Sequence, residues 1–132
     1  MNNKKIIVCN DAPSAIGPYS QGVVSHGLIF LSGQIPLKSS GELLDGTIKE
    51  QVELIFSNIL KLLETQNSCL KNIVKLSVFL KDINDFDEVN AKMIEILEEP
   101  YPARSLIQAA ALPKNVDIEI EVIASLDDHG AG

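Results

Sequence analysis

The sequence predicts an α+β fold, ordered strand, hairpin, helix, strand, helix and two further strands. Two stretches repeat apolar residues at helical spacing, and each opens on a capping signature. The remaining apolar runs are short and β-rich, and the last of them alternates strictly. At 132 residues the chain makes one domain, residues 1–132, with room for a real core and too little length for two ordinary ones.

Residues 5–9 are the first β-rich run. Residues 11–22 contain Pro13, Gly17, Pro18 and Gly22, which exclude regular structure there. Ile16 and Tyr19 in that loop imply that it is pinned, either as a surface connection or as the wall of a site. Val23 and Val24, a turn at Ser25-His26-Gly27, and residues 28–31 read as a hairpin. It runs into Ser32-Gly33-Gln34, where a glycine lets the strand bend or a ligand approach the backbone. Thr47 and Glu50 have the spacing of a capping box opening a helix to about Gln66, its stripe running from Ile48 through Val52, Ile55, Phe56 and Ile59. Residues 73–81 form a strand with Val74, Leu76, Val78 and Leu80 on one face and Lys75 and Ser77 on the other. Asp85 and Glu88 cap a second helix reaching about Glu98, with Phe86, Val89, Met93, Ile96 and Leu97 as its stripe. Residues 116–122 put Val116, Ile118, Ile120 and Val122 on a buried face, and Asp117, Glu119 and Glu121 on the other. The turn at Pro113 is expected to fold this strand antiparallel onto the segment around Arg104. Residues from about 126 to 132 are expected to fray.

Composition narrows the function. The net charge is −7, and no cluster of lysine and arginine offers a nucleic acid its basic groove. With aromatics at 5 % and no tryptophan, base-stacking platforms are scarce too. No apolar run approaches the ~20 residues of a membrane span. The start lacks the pattern of a signal peptide, and Cys9 and Cys69 stand far apart, so a cytoplasmic protein with free thiols is expected. His26 lies in a turn and His129 in the tail, which leaves a Ser–His–Asp or Cys–His site little to stand on. The acids Asp82, Asp85, Asp87 and Glu88 lack the glycine-centred loop of a calcium site and suit a helix N-terminus.

Arg104 is the one arginine among eleven basic residues. A chain that uses lysine for ordinary surface charge keeps a guanidinium where its planar fork is needed, on a carboxylate or phosphate. At this level two uses stay open: a structural salt bridge to one of the eighteen acids, or the grip on an anionic ligand.

Four stretches together, APSAIGPYSQG at 12–22, SGQIP at 32–36, PARS at 102–105 and LPKNVDIEIEVIA at 112–124, resemble one family. The chain is similar to the Rid (YjgF) family of reactive-intermediate deaminases, most of all its RidA subgroup, from about residue 5 to 124. The resemblance implies a chorismate-mutase-like fold, a mixed six-stranded sheet with two helices on one face, assembled as a homotrimer with its sites between subunits. It assigns Arg104 the substrate carboxylate and Glu119 the water and protons. Tyr19 becomes an aromatic wall and Gly33 the backbone close to the ligand, with Asn90 and the backbone of Leu106 as further substrate contacts. Two departures from the family pattern bear on the pocket. The stretch AKMIEILEEPYP between Asn90 and Arg104 is a few residues shorter than usual, and Leu106 stands where many relatives have cysteine.

The activity implied is hydrolysis of 2-imino acids or their enamine tautomers, such as 2-iminobutanoate and 2-iminopropanoate, released by pyridoxal-phosphate enzymes. The products are 2-oxo acids and ammonia, and neither a metal nor an organic cofactor is needed. The competing reading is a trimeric sensor of small 2-oxo or amino acids, for which Glu119 beside an anionic ligand would gain nothing. A ribonuclease, as claimed for some relatives, fits the acidic charge badly.

Overall fold

The computed structural model describes residues 3–126; the tail expected to fray therefore lies outside the described residues, except Leu126. Six strands make one sheet: β1 (Lys5–Ile7), β2 (Gly22–Ser25), β3 (Leu28–Gln34), β4 (Ile73–Leu80), β5 (Ala103–Gln108) and β6 (Ile118–Ser125). Helices α1 (Ile48–Glu64) and α2 (Phe86–Ile96) lie on one face of it. The spatial order is β1-β2-β3-β6-β4-β5, antiparallel throughout except for the parallel pair of β4 and β5.

Local chemistry explains most of the elements. His26 and Gly27, both at positive φ (54° and 77°), close β2 onto β3 with Ser25 opposite Leu28, the twist that a two-residue hairpin requires. Thr47 caps α1 reciprocally: its hydroxyl accepts from the Glu50 N–H, and the Glu50 carboxylate accepts from the Thr47 N–H. The helix buries Val52, Ile55, Phe56, Ile59, Leu62 and Leu63 against the sheet, and Asn67 at φ 57° stops the chain from continuing it. Strand β6 is central because it can bury a whole face: Ile118, Ile120, Val122 and Ala124 are all at most 1 % exposed. Each large side chain among them contributes about 1.5–3 kcal/mol through burial.

Four expectations need correction. Strand β6 does not fold back on the Arg104 segment: β4 stands between β5 and β6. The 3-10 turn at Pro113–Asn115 does reverse the chain, but residues 109–117 are long enough to step past β4. The β4 alternation slips at its start, where a register shift between Ile73 and Lys75 buries Ile73 and leaves Val74 46 % exposed. Asp85 makes no capping bond to α2. Instead Asp82 accepts from the Asn84 N–H and opens a 3-10 turn, Ile83–Asp85, which leads into the helix; α2 then ends at Ile96. Finally, Asp117 leaves the row of carboxylates and accepts from the buried Gln51 side chain on α1 at 3.0 Å.

The sheet face away from the helices carries Glu119, Glu121, Lys75 and Ser77. Phe30 and Ile107 are also on that face, 38 % and 53 % exposed, beside half-buried Phe79 and Ile123. Among the described residues, no helix is long and apolar enough to cross a membrane.

Candidate functional site

The candidate residues gather in two places. Strand β5 pairs Arg104 with Leu76 and Leu106 with Val78, so both face the helices, at the sheet's outer edge. There Arg104 Nη1 donates to Asn90 Oδ1 at 2.5 Å and lies 3.7 Å from Met93 Sδ. The guanidinium carbon stands 5.6 Å from the centre of the Phe86 ring. Phe86, Asn90 and Met93 fall at helical spacing on one face of α2, which makes that helix a cradle for the guanidinium.

All three partners are uncharged. Among the described residues Arg104 has no ion pair, whereas Lys92 pairs with Glu53 and Glu95. The salt bridge left open by the sequence is therefore not its use within the described chain. The fork is oriented while its positive charge stays uncompensated, which suits an incoming carboxylate. A cleft of about 300 Å³ adjoins it, lined by Leu76, Asn90, Met93, Ile94, Leu97 and Tyr101 among others.

The second place lies on the opposite face of the sheet. Glu119, at its position facing away from the helices, reaches over to Gly33 on the adjacent β3. A Cβ on Gly33 would overlap the Glu119 carboxylate, coming within 2.8 Å of its Cδ, so only glycine leaves that carboxylate room. Partial burial pushes the Glu119 carboxyl above its ordinary value, and the neighbouring Glu121 carboxylate adds to the effect. Both glutamates line a cavity of about 620 Å³ together with Tyr19, Gly33, Gln34 and Lys114.

The loop carrying Tyr19 is anchored by buried Gln21. Its Nε2 donates to the carbonyls of Cys9 and Pro13, and its Oε1 accepts from the Cys9 N–H. The Tyr19 hydroxyl accepts from the Ile16 N–H at 3.3 Å, and Ser32 Oγ donates to the Ser20 carbonyl at 2.6 Å. A loop rich in proline and glycine is thereby tied to Cys9, just past β1, and to Ser32 on β3, while the Ile16 and Tyr19 side chains stay exposed.

Similarity to known proteins follows the same stretches. The Endoribonuclease L-PSP family profile matches residues 9–126. The chain belongs to this family, also called Rid or YjgF. The human 2-iminobutanoate/2-iminopropanoate deaminase is 41 % identical over 122 residues, covering 92 % of this chain and 89 % of that one. AldR of Lactococcus lactis, named as a candidate regulator, is 46 % identical over 123 residues, 92 % of this chain and 98 % of that one. The crystal structure of Escherichia coli TdcF with bound serine superposes with a TM-score of 0.87 at 38 % identity, covering 93 % of this chain and 99 % of that one. The six-stranded mixed sheet with two helices is thus the fold of Rid structures, as the motifs led us to expect.

Within one Rid chain, then, Tyr19, Gly33 and Glu119 come together, and Arg104 and Asn90 come together, but the two groups face opposite sides of the sheet. Sequence reasoning placed Phe86 and Met93 in the apolar stripe of the helix; Met93 is indeed core while Phe86 is 38 % exposed, and what was missed is that both also hold the guanidinium. Their spacing around Asn90 on one helix was the available signal. It also missed Gln21, a polar residue closing a loop otherwise made of turn formers.

Proposed function

We propose that this protein hydrolyses 2-imino acids and their enamine tautomers to 2-oxo acids and ammonia, without a cofactor, at sites shared between the subunits of a homotrimer. The observation that carries the reading is Arg104: a guanidinium held by an amide oxygen, a thioether and a ring, with its charge unspent. Human and other relatives named for this activity support the choice of reaction.

In this reading Arg104 fixes the substrate carboxylate through two parallel hydrogen bonds, each worth ~1.5–3 kcal/mol. Asn90 and Phe86 hold the fork in place. Glu119 and Gly33 come from a neighbouring copy, whose Tyr19 loop closes the cleft. The open sheet face, where Phe30 and Ile107 stay exposed beside Glu119, Glu121 and Lys75, supports such an assembly. Glu119 takes a proton from water as the water oxygen bonds to the carbon of the protonated imine, whose C=N pair moves onto nitrogen. Glu119 then hands that proton to the carbinolamine nitrogen; as the C–N bond breaks and ammonia leaves, the hydroxyl oxygen forms the C=O bond and gives its own proton to the Glu119 carboxylate. A carboxyl raised above its ordinary value suits both halves of that relay.

The test generates 2-iminopropanoate and 2-iminobutanoate in place, with an amino-acid oxidase or a threonine dehydratase, and follows their loss. Wild type should accelerate it; Arg104→Lys and Glu119→Gln, still assembled, should not. An assembled wild type that binds 2-oxo acids but leaves the imines untouched would make the protein a sensor instead.

A further inference from the structure

The cleft beside Arg104 is much larger than a carboxylate needs, and its lining is apolar. Leu76, Met93, Ile94, Leu97, Tyr101 and Pro102 supply the walls, and Arg104 and Asn90 are its polar groups. Leu76, Met93 and Leu97 belong to the core, at most 9 % exposed, while Ile94 and Tyr101 stand at the mouth, 64 % and 51 % exposed. A ligand whose carboxylate meets the guanidinium has its other end against these walls. An acid with a single methyl side chain displaces about one water from such a space, leaving most of the ~300 Å³ unused.

We propose that this cleft is the side-chain subsite, and that it selects acids with branched aliphatic side chains over the alanine- and aminobutyrate-derived ones. The inference rests on the carboxylate grip given to Arg104 above and adds the identity of the group beyond it. The two ends of the ligand match the two ends of the cleft, anion to free cation and alkyl chain to aliphatic wall. Ile94 and Tyr101 set the mouth, because the walls behind them are core residues that cannot move without unpacking the sheet. Both come from the stretch between Asn90 and Arg104.

Burying one methylene strengthens binding by about fourfold when it is fully enclosed, and by less in a cleft open on one side. Three additional carbons should then separate 4-methyl-2-oxopentanoate from pyruvate by on the order of 30-fold. The experiment titrates the assembled protein calorimetrically with pyruvate, 2-oxobutanoate and 4-methyl-2-oxopentanoate, which bind without turnover. The branched acid should bind tightest. Arg104→Lys should weaken all three together and keep their order. Ile94→Trp, a change at an exposed position that fills the mouth, should compress the ratio to threefold or less, with melting curves confirming the fold; Ile94→Ala should change it in the same direction by a smaller step.

Equal affinities for the three acids in wild type would overturn the proposal, and so would a ratio that survives Ile94→Trp. Imine hydrolysis with no ranking of acids removes the subsite and leaves the deaminase. Ranking without hydrolysis supports the subsite and removes the deaminase.

Discussion

If Arg104 works with Glu119 of another copy, two inactive variants should repair each other. Arg104→Lys keeps a charge but forfeits one arm of the fork, a loss of ~1.5–3 kcal/mol, or roughly 10- to 150-fold in kcat/KM. Glu119→Gln keeps the shape and removes the base, with an expected loss on the order of 100-fold or more. Neither change breaks an ion pair among the described residues, so both proteins should fold. When the two chains are co-expressed with different tags and the mixed assemblies isolated, each site draws its arginine half from one copy and its glutamate half from the next. In a trimer that holds both chains, one site of the three receives both native residues whichever chain is in the majority, so about a third of the sites are complete. The isolated mixed trimers should therefore turn over imine at about a third of the wild-type rate per site, far above either parent. The expectation of a shared site rests on topology: β4 separates β5 from β6, and the two side chains leave opposite faces of the sheet. Activity no higher than the mean of the two parents would refute the shared site.

Other expectations concern single positions. Gly33→Ala should lower turnover by about 10- to 100-fold while moving the melting temperature little, because the added methyl displaces the end of the flexible Glu119 side chain rather than backbone. Glu121→Gln removes one of the two causes that raise the Glu119 carboxyl, so the acid limb of the pH–rate profile should move to lower pH. The folded state holds the Glu119 proton more tightly than the unfolded chain, whose carboxyl titrates near 4.5. Stability therefore falls as pH rises through the folded value, and Glu119→Gln should melt higher than wild type at pH 7.5 but not at pH 4. Thr47→Ala opens the capping box and should cost about 1 kcal/mol, a few degrees in a thermal melt, with kcat/KM unchanged.

Much of this protein was legible in its residues taken in order. The Thr47–Glu50 box, the apolar stripe of α1 and the strict alternation around Ile118 and Ile120 are local signals, decided within one or two turns or a single strand, and they locate α1 and β6 well. The lone arginine and the glycine of SGQIP stood out as candidate positions because each residue type does something its neighbours cannot. What the residues could not settle was pairing. Whether β6 returns to β5 or passes beyond β4 depends on which arrangement buries the apolar face of β6 on both sides, a contact between segments far apart in the chain. The tertiary structure decided that, and with it the separation of Arg104 from Glu119. It also decided that Asp117 turns to Gln51, that Val74 is squeezed outward by a bulge, and that Phe86 and Met93 serve the guanidinium. Periodicity tells which side chains share a face, but what lies opposite that face is set only when the sheet assembles.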